Sequence, residues 1–567
     1  MNRWSALAML LALAGALALR VPQLAVRPLH NDEAVNATKV AVLWEKGDYH
    51  YDPDEYHGPT LYYCSLPFLA LSSANNSDAK PGTHPPTAQS AARPTFSDGE
   101  LRRVTVAFGV GLILLLILLA DGLGPVALGW AAIFLAVSPA MVFYSRYFIH
   151  EMLLVFFTLF TLTAGWRYTQ SRHVAWAAFT GAGVGLMFAT KETFVLSLAA
   201  MGFALIATRI WNRWQADGAA VGFGAPVSDP AIFDSVSHRA GSETGAPPHT
   251  RQAQRRHLAI ALLAAAAIWL VFFSSIFTHA GGLMDSLKTY LPWLHRAGGA
   301  SPHLHPWNFY LARLVWFHPP KSPVWSEALI LLLAVGGGAA AFCNNPALRL
   351  QPAFAQFLTL YTLALTAIYS LIAYKTPWCL LNFWLGMILL AGIGAAALIR
   401  LCRSTVAKIL VVTTLALGVL QLGAQAWRAA VTQAANPRNP YVYAQTTDGC
   451  RQLVARVEAV ARVAPTGPET VVKVIAPESY WPLPWYLRTF KRVGWWEKMP
   501  EAPYAPIVLV SAKLNALLDE KSSKAWIMTG LYELRPGVYF ELYVERGLWE
   551  KFVATLPREQ DGDSGKP

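Results

Sequence analysis

Three titratable side chains, His30, Asp32 and Glu33, fall within four residues in the stretch RPLHNDEAVNATK (27–39), shortly after a long apolar run. Adjacent carboxylates at the rim of a bilayer suit one kind of task. A sugar carried on a lipid phosphate presents its anomeric carbon at that depth. An acceptor hydroxyl attacking that carbon must lose its proton to a base. Asp32 is the candidate base, and Glu33 beside it would orient the base or the acceptor. A lipid-phosphate leaving group carries negative charge, which positioned cations stabilise. Lys191, Arg146 and Lys375 are candidates for that role. Glu151, Glu192, His30 and His57 are candidate substrate contacts. His150 beside Glu151 also admits a divalent metal, shared with Asp32 or Glu33, although a histidine and carboxylates at loose spacing do not select a metal. No other cofactor is implied, and no Walker sequence or strand-linked GxGxxG calls for a nucleotide. Asp52, Asp54 and Glu55 read as a solvated loop, and His303 and His305 as interfacial.

The elements that must position these residues are membrane helices. Of 567 residues, 54% are hydrophobic and 14% charged, against roughly 25% charge in a soluble domain. Apolar runs of spanning length recur. They predict about 11 spans, at roughly 4–20, 102–120, 126–143, 152–166, 174–189, 194–208, 258–277, 326–343, 354–372, 379–399 and 408–427. The net charge of +12 comes largely from Lys and Arg in short loops between runs. That is the positive-inside pattern of cytoplasmic loops rather than a nucleic-acid footprint. With Arg3 placed in the cytoplasm, Asp32, Glu33, Arg146, Glu151, Lys191, Glu192 and Lys375 all fall on the outer face. Ionisable residues at membrane depth are costly and mark sites, so this one-sided set predicts a single outward-facing polar cavity. The five cysteines show neither CxxC nor metal-ligand spacing and suit apolar positions.

The expected organisation is a transmembrane domain over 1–427 and an extracytoplasmic α/β domain over 428–567. The first carries an outer loop 21–101 with the acidic motif and a polar insertion, a basic cytoplasmic loop 209–257, and an interfacial outer segment 278–325. In the second, TVVKVIAP, APIVLVSA and GVYFELYVE read as strands, and TDGCRQLVARVEAVARV has helical spacing. The aromatic stretch YWPLPWYLRTF is either a lid facing the membrane domain or part of the small domain's own core.

These residues resemble a known superfamily. HNDEA after the first span resembles the first-loop acidic signature of the GT-C membrane glycosyltransferases. SRYFIHEMLLVFF resembles their second acidic motif, with Glu151 at the acidic position. GLMFATKETF is similar to the Gly-and-Lys segment of protein O-mannosyltransferases and aminoarabinose transferases. YDPDEYHGPTLYY, YKTPWCLLNFW, NPYVYAQT and YWPLPWYLRTF together resemble the flippase-activity-associated proteins of the same clan. The resemblance implies a GT-C fold, a polyprenyl-phosphate-sugar donor and an extracytoplasmic active site. The expected activity is transfer to a lipid, glycan or protein acceptor at the outer face of the cell (inner) membrane, in a single inverting displacement, because one base with a preformed phosphate leaving group needs no covalent intermediate. The alternative is a protein that flips lipid-linked sugars, or helps to flip them, without chemistry.

Overall fold

The computed structural model describes residues 2–54, 57–77, 96–222, 251–293, 303–343 and 351–557. The core of the polar insertion (78–95), most of the basic loop (223–250) and part of the outer segment (294–302) lie outside the described residues. The chain divides into two compact units: Met1–Leu24 with Val42–Ala434 and Arg438–Tyr441, and Ala25–Ala41 with Ala435–Pro437 and Val442–Pro567.

The first unit is helical. Among the described residues, eight helices are long and apolar enough to cross a membrane, from Arg3–Arg20 to Thr405–Thr432. A ninth is reached only if Pro125–Val137 and Pro139–Ser145, bent by 57° at their junction, make one broken span. The other two expected spans correspond to short helices, Val174–Phe188 and Ala328–Ala341. At 1.5 Å per residue each covers only about 20 Å, short of a hydrocarbon core of about 30 Å. Length therefore does not establish the expected count of eleven. The chain is an integral membrane protein by its apolar helices. A further helix, Thr60–Ser77, with Pro67 inside it, occupies part of what reads as a loop in the sequence.

The break in the third expected span has a local cause. Pro139 lacks an N–H, so carbonyls in the preceding turn lose their helical partner. Arg20 takes two of them, donating to Leu135 O at 2.9 Å and Ala136 O at 2.7 Å. The wholly buried Glu327 binds the other side of the break. It accepts from Ser138 Oγ at 2.5 Å, Ala140 N at 3.0 Å and Tyr441 Oη at 2.6 Å. A buried carboxylate is tolerated when its lone pairs are filled in this way. Close helix contact rests on small residues, as is usual in membranes. A Cβ on Gly337 would meet Leu390 O at 2.0 Å, and one on Gly394 would meet Leu333 O at 2.0 Å.

The second unit is built on a five-stranded sheet: β1 (Val472–Ile475), β2 (Val493–Trp496), β3 (Ile507–Ser511), β4 (Trp526–Arg535) and β5 (Val538–Glu545), in the order β2-β1-β3-β5-β4. β2, β1 and β3 run parallel, and β5 is antiparallel to β3 and β4. Helix Asp448–Val463 turns Cys450, Leu453, Val454, Val457, Val460 and Ala461 inward, a helical stripe. They share a core with Val472, Val474, Ile507, Leu509, Leu542 and Val544. Leu483, Leu487 and Phe490 of the aromatic stretch join the same core. The unit also takes in Ala25–Ala41, so the segment carrying the acidic motif folds with the sheet domain, not with residues 1–24.

Candidate active site

Inside the second unit, the chain before the acidic motif is fixed by hydrogen bonds to its main chain. Arg451 Nη2 donates to Ala25 O at 2.8 Å, Gln445 Nε2 to Pro28 O at 3.1 Å and Thr446 Oγ1 to Leu29 O at 2.7 Å. The Leu29 N–H donates to Tyr486 Oη at 2.8 Å. Helix Asn31–Lys46 then starts with reciprocal capping. His30 stands at the N-cap and its Nδ1 accepts the Asp32 N–H at 3.2 Å. Glu33, three residues into the cap, accepts the His30 N–H at 3.0 Å, the return half of a capping box. Glu33 Oε1 also lies 3.9 Å from Arg27 Nη2, with the Glu33 side chain wholly buried.

The two adjacent carboxylates are thus unlike. Glu33 is committed to the helix start. Asp32 is 48% exposed, with its carboxylate 3.7 Å from His30 Nδ1, in the first turn of the helix. Burial pushes the His30 imidazole below its ordinary pKa. Arg535 and Arg27 act in the same sense, against the opposing pull of Asp32 and Glu33.

A separate cluster forms inside the first unit. The HGPT segment runs antiparallel to ATKE: His57 bridges Lys191, Gly58 N donates to Thr190 O at 3.0 Å and Thr60 N to Ala189 O at 3.1 Å. Only glycine allows this approach, because a Cβ at Gly58 would sit 2.1 Å from Ala189 O. The pairing brings His57 Nδ1 to 3.1 Å from Glu192 Oε2. Lys191 Nζ donates to Glu151 Oε1 in a buried ion pair. His150 Nε2 lies 3.0 Å from Gly58 O, and Tyr290 Oη donates to Glu192 O at 3.2 Å. Burial works to discharge the Lys191 ammonium, but Glu151, Cys379 and Glu192 outweigh it and hold its pKa above the ordinary value. Burial likewise opposes ionisation of Glu192, and His57 and Lys191 overcome it, leaving its pKa below normal.

The structure therefore brings His57, His150, Glu151, Lys191 and Glu192 together. Arg146 and Lys375 have main-chain partners elsewhere. The Arg146 guanidinium clamps the end of the first helix, donating to Arg20 O at 3.1 Å, Pro22 O at 2.6 Å and Gln23 O at 3.0 Å. Such carbonyls have no partner inside the helix. Lys375 Nζ donates to His305 O at 3.2 Å and to Ile372 O. The surrounding segment pairs with the PHLHP stretch through Lys375 N to His303 O and His305 N to Ala373 O. The His305 ring stacks on Phe309. Asp52 accepts the Asp54 N–H at 2.9 Å in an exposed turn, while Glu55 is outside the described residues.

Among the described residues, one set of three metal-ligating side chains converges: Asp48, His50 and His279. It includes neither His150 nor Glu151. No local spacing in the sequence points to it, because His279 stands more than two hundred positions from its partners. Nor does the sequence mark Glu327, since a lone carboxylate at a helix start reads as solvated.

Comparison with known proteins agrees with this architecture. Residues 96–225, less than half of the chain, match the family model described as dolichyl-phosphate-mannose-protein mannosyltransferase. No curated protein matches the sequence at a significant level. The crystal structure of ArnT from Cupriavidus metallidurans in the apo state aligns with a TM-score of 0.58 at 12% identity, covering 94% of this chain and 97% of that one. ArnT from the same organism bound to undecaprenyl phosphate aligns with a TM-score of 0.57 at 14% identity, over 94% and 97% of the two chains. Spanning helices, the segment matching the mannosyltransferase model and a superposition over nearly the full length agree: this chain has the GT-C fold of the membrane glycosyltransferases.

Proposed function

We propose that the protein is a glycosyltransferase that moves a sugar from a polyprenyl-phosphate carrier to a lipid, glycan or protein acceptor outside the cytoplasm. The acceptor oxygen attacks the anomeric carbon and its proton passes to Asp32. The bond from that carbon to the phosphate oxygen breaks, and the phosphate departs with the electron pair. One displacement with a preformed leaving group inverts the anomeric centre. The observation that carries the assignment is the contrast within the acidic pair. Asp32 is half exposed at a helix N-terminus, whereas Glu33 is buried and committed to the cap. Asp32 is the base and Glu33 fixes the turn that presents it.

Lys191 is the cation for the donor phosphate. An ammonium has three donors and Glu151 accepts one of them. His57, Glu192 and Glu151 shape the surroundings of that ammonium.

The test is release and transfer of labelled sugar from a polyprenyl-phosphate donor by purified protein. Asp32→Asn keeps the side chain's shape and is expected to lose about 10²–10⁴-fold in transfer with unchanged melting. Glu33→Gln is expected to lower melting more and transfer less. Wild-type transfer by Asp32→Asn overturns the assignment of the base. Wild-type protein that transfers sugar from no polyprenyl-phosphate donor overturns the activity.

A further inference from the structure

Asp48, His50 and His279 belong to neither group discussed above. Asp48 Oδ1 lies 3.3 Å from His50 Nδ1 and 3.6 Å from His279 Nε2, and all three donor atoms fall within 4.8 Å of one another. The two imidazole rings lie 3.3 Å apart between centroids, tilted by 45°. Zinc binds histidine nitrogen and carboxylate oxygen at about 2.0–2.2 Å in a tetrahedron, which spaces neighbouring ligand atoms by about 3.3–3.6 Å. The two distances from Asp48 already have that length. The remaining edge, between the two histidine nitrogens, is within 4.8 Å. The side chains are 37–55% exposed, so an ion reaches them directly and water completes its coordination.

The donor set narrows the class of ion. Two imidazoles with one carboxylate suit a divalent transition metal such as zinc. Calcium and magnesium require mostly oxygen ligands. We propose that Asp48, His50 and His279 form a zinc-class site that ties the segment after helix Asn31–Lys46 to the turn after helix Arg251–Phe273.

The backbone already brings the two segments together. Gly47, at φ +67°, ends the first helix and places Asp48 and His50 just beyond it. After Phe273 the chain makes a left-handed turn, with Ser275, Ile276 and Phe277 all at positive φ. L-residues adopt that conformation only at a cost. The turn closes by His279 N to Ser274 O at 2.8 Å. Tyr51 packs edge-on against Phe273 at 4.9 Å. A metal bridging Asp48, His50 and His279 holds the strained turn against this segment, which is a structural role and stands apart from the proposed sugar transfer.

The experiment uses the full-length protein in detergent, freed of affinity histidines, stripped with chelator and dialysed against zinc chloride. One zinc per chain is expected by elemental analysis, with a rise in melting temperature that chelator reverses. Cobalt(II) is expected to give visible d–d bands. His50→Ala/His279→Ala is expected to lose the bound metal, the bands and the zinc-dependent shift, while its metal-free melting stays at that of the stripped wild type. Asp48→Asn, which keeps the shape of the carboxylate but not its charge, is expected to weaken zinc binding at least tenfold. Equal zinc content in the wild type and the double histidine variant overturns the proposal, as does a cobalt spectrum unchanged by the substitutions.

Discussion

The Lys191–Glu151 pair allows structural and catalytic roles to be separated. Lys191 is 7% exposed and Glu151 3% at the side chain, in direct ionic contact. Removing one partner strands a buried charge, at a cost of about 3–5 kcal/mol. Replacing both by apolar side chains of similar volume is about neutral, or stabilising by about 1–4 kcal/mol. Lys191→Met and Glu151→Leu are therefore each expected to lower the melting temperature strongly, and the double variant to recover it. Titration of Lys191 does not interfere. Its folded pKa is raised, so the stability it contributes is complete below its ordinary 10.5 and is lost only at higher pH. Transfer should behave differently from melting. A cation facing a developing phosphate charge is worth about 2.7–4 kcal/mol, or 10²–10³-fold in rate. That loss is expected to persist in the refolded double variant. The assays are thermal unfolding and single-turnover transfer on the same four preparations. A double variant that regains both stability and transfer shows a purely structural pair and refutes Lys191 as the phosphate cation. Single variants that melt like wild type refute the burial argument.

Gly58→Ala forces a methyl group to 2.1 Å from the Ala189 carbonyl, parting the HGPT and ATKE segments. The expected cost is about 1–3 kcal/mol, with transfer reduced because His57 leaves Glu192; thermal unfolding and transfer assays check it. His30 gives the second unit an acid-side sensitivity. Its folded pKa lies below the ordinary 6.5, so the unfolded chain binds more protons in between. The stability it contributes is complete above about pH 6.5 and is lost as pH falls through the folded value. Protonation also removes the acceptor that Nδ1 offers to the Asp32 N–H. His30→Asn caps equally well without titrating, so its melting between pH 7.5 and 5.5 should fall less than that of the wild type; parallel curves would remove His30 as the cause.

Short-range patterns carried much of this in the sequence. Apolar runs mark the helices because a hydrocarbon core admits little else. Alternation and apolar clustering mark β1, β3 and β5, and the spacing in residues 448–463 marks the helix over them. Strands β2 and β4 were not legible: VGWW is a short edge strand beginning with glycine-containing sequence, and β4 mixes charges with partly exposed apolar residues. Asp32 and Glu33 could be named in the sequence as base and orienting group, but not what covers each, because neighbours in sequence differ in burial only once the chain has folded. Glu33 is buried beside Arg27 and in the cap, while the Asp32 side chain is half exposed. Folding likewise turned Arg146 and Lys375 onto carbonyls left open at helix ends and loops, a demand that exists only once the backbone has taken its path. The sequence by itself determined which segments avoid water and which residue types carry charge beside them. Tertiary structure decided partnership: Lys191 with Glu151, His57 with Glu192, and Asp48 with His279. Those pairs are distant in the chain, and only the packed helices and the HGPT–ATKE pairing bring them within reach.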